Sequence, residues 1–149
     1  MRTWFAIIPA AVGALLFAAA SLAAAQQRVA LVIGNATYQE LPLKNPVNDA
    51  RAVAERLTTL GFEVIKLENA SRGEMEDAIA DFEERLGPGN AGLFYYAGHG
   101  LQVRGQNYLV PVDAVIESES RVRTQAVPLS HVTPAMNYAE SRINFILLD

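Results

Sequence analysis

The side chain best placed to move a proton is His99, held between Gly98 and Gly100 at the end of the apolar run Gly92-Leu93-Phe94-Tyr95-Tyr96-Ala97. An imidazole takes up and returns a proton near neutral pH, as a general base must. The flanking glycines let the backbone turn sharply and let another group approach closely. A histidine after a strand is also an ordinary turn residue, so the base gains meaning only from its neighbours. The polar residues able to join it are Asn35, Asp49 and Asp149.

From Arg28 onward, strand and helix patterns alternate. Val29 to Ile33 is continuously apolar, as in a strand buried on both faces, and ends at Gly34-Asn35. A loop with Pro42 and Pro46 follows. Asn48 is then a suitable helix N-cap with Asp49 in the first turn, and Ala50, Val53, Ala54 and Leu57 share one helical face before Gly61. Phe62 to Leu67 reads as a second strand. Ser71 and Glu74 have capping-box spacing, and Met75, Ala78, Ile79, Phe82 and Leu86 form the apolar face of a second helix, stopped by Gly87-Pro88-Gly89. The histidine strand is third. A hairpin is expected over Leu101–Asp113, turning around Gly105-Gln106-Asn107, then an exposed charged loop over Glu117–Arg123. A third helix is expected over Ser130–Ala139, and Ile143 to Leu148 as a fourth core strand running into Asp149.

This order predicts an α/β fold, a three-layer α-β-α sandwich around a mostly parallel sheet with right-handed crossovers. Ligands of such sheets bind beyond the carboxyl ends of the strands. Asn35, Asp49, His99 and Asp149 all follow such ends, so they are expected along one rim of the sheet.

Composition narrows the chemistry. The 149 residues suit one domain. A net charge of −4 without a long basic run argues against nucleic acid as a partner. There is no cysteine, so disulfides, cysteine metal sites and a thiol nucleophile within these residues are excluded. Residues 1–25 combine Arg2, an uncharged stretch from Trp4 to Leu22 and Ala23-Ala24-Ala25, the pattern of a secretory signal peptide. The domain proper is then 28–149, secreted or periplasmic, without stable membrane association once the leader is removed. The alternative is an uncleaved membrane anchor, since the uncharged stretch is nearly long enough to span a bilayer.

The segments Val29 to Asn35, Leu43 to Ala50, Tyr95 to Gly100, Asn107 to Asp113 and Ile146 to Asp149, in that order, resemble the bacterial caspase-like or metacaspase-like cysteine peptidases. The resemblance covers Arg28 to Asp149. It implies a histidine–cysteine dyad whose thiolate attacks the scissile carbonyl of a polypeptide substrate. It makes His99 the dyad histidine and the Gly100 N–H an oxyanion donor. Asp49 and Asp149 become the acids of a pocket that prefers a basic residue before the cut bond, arginine above lysine. The family's cysteine lies about 50 residues after the histidine, just past the fourth strand. The chain is therefore expected to stop just before its nucleophile, to be inactive by itself, and to lack strands that would cover its last sheet edge.

Calcium is used by some metacaspase-like enzymes, but Asp113, Glu117 and Glu119 lack EF-hand spacing and read as a solvated acidic loop, so no cofactor is expected. His131 reads as a surface residue, Tyr95 and Tyr96 as core packing, and Lys44 and Asn45 as residues shaping the loop near the pocket. The alternative function is a secreted, non-catalytic caspase-like module that binds peptides or proteins. A flavodoxin-like binding domain is disfavoured by the lack of a glycine-rich phosphate loop after the first strand.

Overall fold

The computed structural model describes residues 26–149. The segment expected to be a signal peptide, 1–25, lies outside the described residues. Four parallel strands form the central sheet in the order β2-β1-β3-β7, where β1 is Arg28–Gly34, β2 Glu63–Glu68, β3 Ala91–Ala97 and β7 Ile143–Leu148. The parallel crossovers are made by helices: α1 (Pro46–Thr59), α2 (Arg72–Arg85) and α4 (Val132–Tyr138). A small antiparallel sheet of β4 (Gly100–Val103), β5 (Gln106–Leu109) and β6 (Val127–Pro128), with helix α3 (Glu119–Gln125), extends from the end of β3.

Alternation along β1 and β3 builds two cores. Val29, Leu31, Ile33, Phe94 and Tyr96 face α2 and α4, together with Met75, Ile79, Phe82 and Met136. Ala30, Val32, Leu93, Tyr95 and Ala97 face α1, with Ala50, Ala54 and Leu57. Successive strand side chains point to opposite faces, so the adjacent tyrosines of β3 enter different layers. The three-layer sandwich expected from the sequence is present. Helix α2 begins with the full capping box: Ser71 Oγ accepts from the Glu74 N–H, and Glu74 Oε2 accepts from the Ser71 N–H.

Several boundaries differ from expectation. Helix α1 begins at Pro46, so Asn45 rather than Asn48 holds the N-cap position, without a side-chain capping bond; Pro46, with its fixed φ and no N–H, suits the first helical position. Asp49 still falls in the first turn. The hairpin turns at Arg104-Gly105, with φ of 51° and 79°, so Gln106 and Asn107 already belong to β5. Glu119–Gln125 is helical rather than loop, since Val122 and Ala126, four apart, bury against Tyr108 while the charges stay outside. The expected helix over Ser130–Ala139 starts as a 3-10 turn, Leu129–His131, and becomes α-helical only at Val132. Strand β7 has the expected bounds and, among the described residues, is the uncovered sheet edge that the sequence led us to expect: every residue is exposed, Phe145 by 52% and Leu147 by 48%.

Candidate functional site

The rim of the sheet carries a cleft of about 460 Å³ lined by His99, Asp49 and Asp149, with Lys44, Asn45 and Gly98 among its walls. Each functional side chain arrives on its own element. His99 follows β3, Asp49 rides the first turn of α1, and Asp149 follows β7. Gly34 permits the approach of α1. A Cβ there would lie 2.6 Å from the Pro46 carbonyl oxygen and 2.7 Å from the Ala50 Cβ, so only glycine lets the helix start against the end of β1.

The backbone of His99 is held on both sides. Its N–H donates to Tyr38 Oη at 3.0 Å, and its carbonyl accepts from Tyr96 Oη at 2.8 Å. The two phenols are 3.2 Å apart, and both reach the Val110 carbonyl oxygen, at 3.1 and 2.9 Å. Burial pushes the acidity of both phenols below that of free tyrosine, so both remain neutral and keep their proton for donation. Gly98 closes this arrangement: a Cβ there would sit 2.6 Å from Tyr38 Oη and 2.7 Å from Tyr96 Oη.

The ring of His99 has its own constraint. Nε2 lies 2.7 Å from the Leu41 carbonyl oxygen. A carbonyl only accepts, so this nitrogen carries hydrogen and Nδ1 keeps the lone pair of the neutral ring. The Tyr38 ring packs against the imidazole with centroids 4.4 Å apart. Loop 35–41, which supplies Tyr38 and Leu41, is anchored by Asn69. Its Oδ1 accepts from the Ala36 and Thr37 N–H groups at 2.9 and 3.1 Å, from a left-handed backbone with φ of 54°.

Tyr95 serves the acids rather than merely filling space. Its hydroxyl donates to Asp149 Oδ2 at 3.0 Å, and its pKa is pushed up to about 12 by burial first, then by Asp149 and Asp49. The last of these effects places both carboxylates in the field of one phenol. Asp149 is also pinned by its backbone: its N–H donates to the Tyr96 carbonyl at 2.9 Å and its carbonyl accepts from the Gly98 N–H at 3.3 Å.

Of the four rim residues expected from the sequence, three line the cleft. Asn35 does not. It is fully buried, with Oδ1 accepting from the Ala70 N–H at 2.8 Å and Nδ2 donating to the Val110 carbonyl at 3.2 Å. Lys44 and Asn45 shape the cleft as expected, and His131 is on the surface. Asp113 caps α2 by accepting from the Arg72 N–H at 2.9 Å. Among the described residues no group of three His, Asp or Glu side chains converges as a metal site requires, and no helix is long and apolar enough to cross a membrane. Tyr38, Leu41 and Asn69 were missed. Their only sequence signal is position, in a loop after a core strand and in a residue type that tolerates left-handed backbone.

A family model described as the caspase domain matches residues 27–148. The chain is 36% identical over 126 residues to the human mucosa-associated lymphoid tissue lymphoma translocation protein 1, and equally so to its mouse homolog; the match covers 84% of this chain and 15% of each relative. The chain thus spans 15% of the length of the curated relatives it matches. A crystal structure of a Geobacter sulfurreducens protein superposes with a TM-score of 0.63 at 21% identity, over 81% of this chain and 49% of that one.

Proposed function

The chain belongs to the caspase-domain family, and from that premise we propose that it is the histidine-bearing part of a cysteine-type endopeptidase that cleaves polypeptides after basic residues. The observation that carries this reading is the convergence of His99, Asp49 and Asp149 on one cleft. The dyad requires a thiol, which these 149 residues do not contain; the reading places it in polypeptide that continues from Asp149.

The chemistry follows from the geometry. With Nε2 committed to Leu41, Nδ1 is the nitrogen free to take the thiol proton. The thiolate attacks the scissile carbonyl, and the Gly100 N–H donates to the developing oxyanion. The imidazolium then returns its proton to the departing amine, and the C–N bond breaks. Asp49 and Asp149 accept from the guanidinium of the residue before the cut, with Tyr95 orienting one Asp149 oxygen. Domain 28–149 is exported as a secreted or periplasmic protein behind the leader 1–25. N-terminal sequencing of the mature protein tests that; a retained residue 1 rejects cleavage.

The decisive experiment uses the parent protein with its cysteine-bearing continuation, assayed on matched peptides carrying Arg or Asp before the scissile bond. Cleavage after Arg, abolished by His99→Ala, is expected. Cleavage after Asp alone rejects the specificity. Absence of hydrolysis, with peptide still bound, rejects the enzyme in favour of a binding module.

A further inference from the structure

We propose that the groove on the far side of His99 receives the residue that follows the scissile bond, P1′, and that it selects an apolar side chain there and rejects an acidic one. This rests on the peptidase reading above and deepens it.

Three observations carry it. First, the groove, about 400 Å³, shares His99 with the acid-lined cleft, but neither Asp49 nor Asp149 lines it. The imidazole is therefore a partition. A basic side chain drawn to the two carboxylates occupies one side. The amine half of the peptide takes its proton from the same ring, so it lies against the ring and leaves by the other side.

Second, the groove gathers apolar surface. Outside β7, the exposed large hydrophobics among the described residues are Leu41, Leu60, Leu101, Val115 and Tyr138. Leu41, Leu101 and Val115 all line this groove, 68%, 38% and 54% exposed. Clustered apolar exposure beside a polar site marks a contact surface, whereas scattered residues do not. Ile116 is half-buried on the Tyr108–Val122 cluster, which gives the wall a fixed footing. Glu40 and Glu117 also line the groove and are exposed, so an acidic side chain entering it meets charges of its own sign.

Third, the groove wall and the base are one unit. Leu41 presents its side chain to the groove while its carbonyl holds Nε2 of His99. A side chain packed on Leu41 steadies the segment that orients the imidazole.

The test uses the parent protein with its thiol and internally quenched peptides of fixed P1 arginine, varied at P1′ as Leu, Ala or Asp. The same peptide with glycine at P1′, which puts no side chain in the groove, is the reference. Leu is expected to exceed Asp in kcat/KM by about tenfold or more, the scale of one apolar contact plus a like-charge encounter. Val115→Glu should bring Leu and Ala to within about twofold of each other. Glu117→Lys should raise cleavage of the Asp peptide. Both variants should leave the glycine peptide untouched, and both positions are exposed, so unaltered melting curves confirm folding. If the glycine peptide is hydrolysed but the P1′ profile ignores both variants, or if the variants shift preference at P2 instead, the groove assignment is wrong. If no arginine peptide of the set is hydrolysed at all, the peptidase reading fails and this inference falls with it.

Discussion

Replacing Tyr38 by Phe removes one oxygen and keeps the ring that packs on His99. That oxygen accepts from the half-buried His99 N–H at 3.0 Å and reaches the Val110 carbonyl at 3.1 Å. Val110 loses little, because Asn35 Nδ2 and Tyr96 Oη still reach its oxygen. The His99 N–H loses its only described acceptor. A buried donor left unpaired costs about 1–3 kcal/mol; this one is only half-buried, so the variant should be less stable by about 1 kcal/mol. At a urea slope of about 2 kcal/mol/M, the unfolding midpoint falls by about 0.5 M.

On the proposed reading, the same change should act on His99 as the base and spare Asp49 and Asp149 as the specificity acids. Asp49 and Asp149 take nothing from Tyr38; Asp149 is held by Tyr95, the Tyr96 carbonyl and the Gly98 N–H. In the thiol-bearing parent protein, Tyr38→Phe should lower kcat on an arginine peptide about tenfold, the effect of a small misplacement of a reacting group, with KM within about twofold. Urea titration by fluorescence and steady-state kinetics measure both. A midpoint within about 0.2 M of wild type, or a loss confined to KM, would refute the view that Tyr38 holds the histidine.

The other expectations are brief. Asp49→Asn and Asp149→Asn should each raise KM for arginine peptides about tenfold or more with little change in kcat, since each deletes a charged acceptor of the bound guanidinium; equal losses in kcat would place them in the chemistry instead. Tyr95 has a folded-state pKa raised to about 12, so its contribution to stability is complete below about pH 10 and disappears as pH climbs to 12. Tyr95→Phe should flatten that alkaline limb in urea titrations at pH 9 to 12, and an unchanged limb would remove Tyr95 as its source. Phe145→Lys on the exposed edge strand should reduce self-association of the 149-residue chain in light scattering, since charge on an edge opposes strand pairing; undiminished association would locate the sticky surface elsewhere.

The sheet was legible because its signals are local. The unbroken apolar runs of β1 and β3 state burial on both faces, and Ser71 with Glu74 states a helix start. The site was half legible. The strand-end rule collected Asp49, His99 and Asp149 without saying which side chains turn inward. Asn35 turned inward because the Ala70 N–H and the Val110 carbonyl needed partners inside the core, a demand visible only once those segments meet. Tyr95 and Tyr96 were legible as packing, and their period-two alternation already sent them to opposite layers. What each hydroxyl would find there was not. For β7 the sequence told what the strand would bury if a neighbour covered it, and the structure leaves it as an edge.

The two halves of the site are therefore supported unequally, and this has a mechanical consequence. The base hangs on groups inside the fold: Tyr96 is 2% exposed, Tyr38 9% and Val110 8%. Asp149, which we propose as one of the specificity acids, follows a strand exposed along its whole length among the described residues, and its carboxylate is held by a single phenol from β3. Local opening follows contact density, so β7 opens at lower free energy than β1 or β3. Within these 149 residues, opening of β7 moves Asp149 relative to a fixed imidazole; strands that pair with β7 in a longer chain would remove that freedom. Tyr95 couples the halves through its side chain, since it is rooted in the buried strand that presents His99 while its hydroxyl grips the acid on the edge; the Tyr96 carbonyl and the Gly98 N–H couple them through the backbone of Asp149.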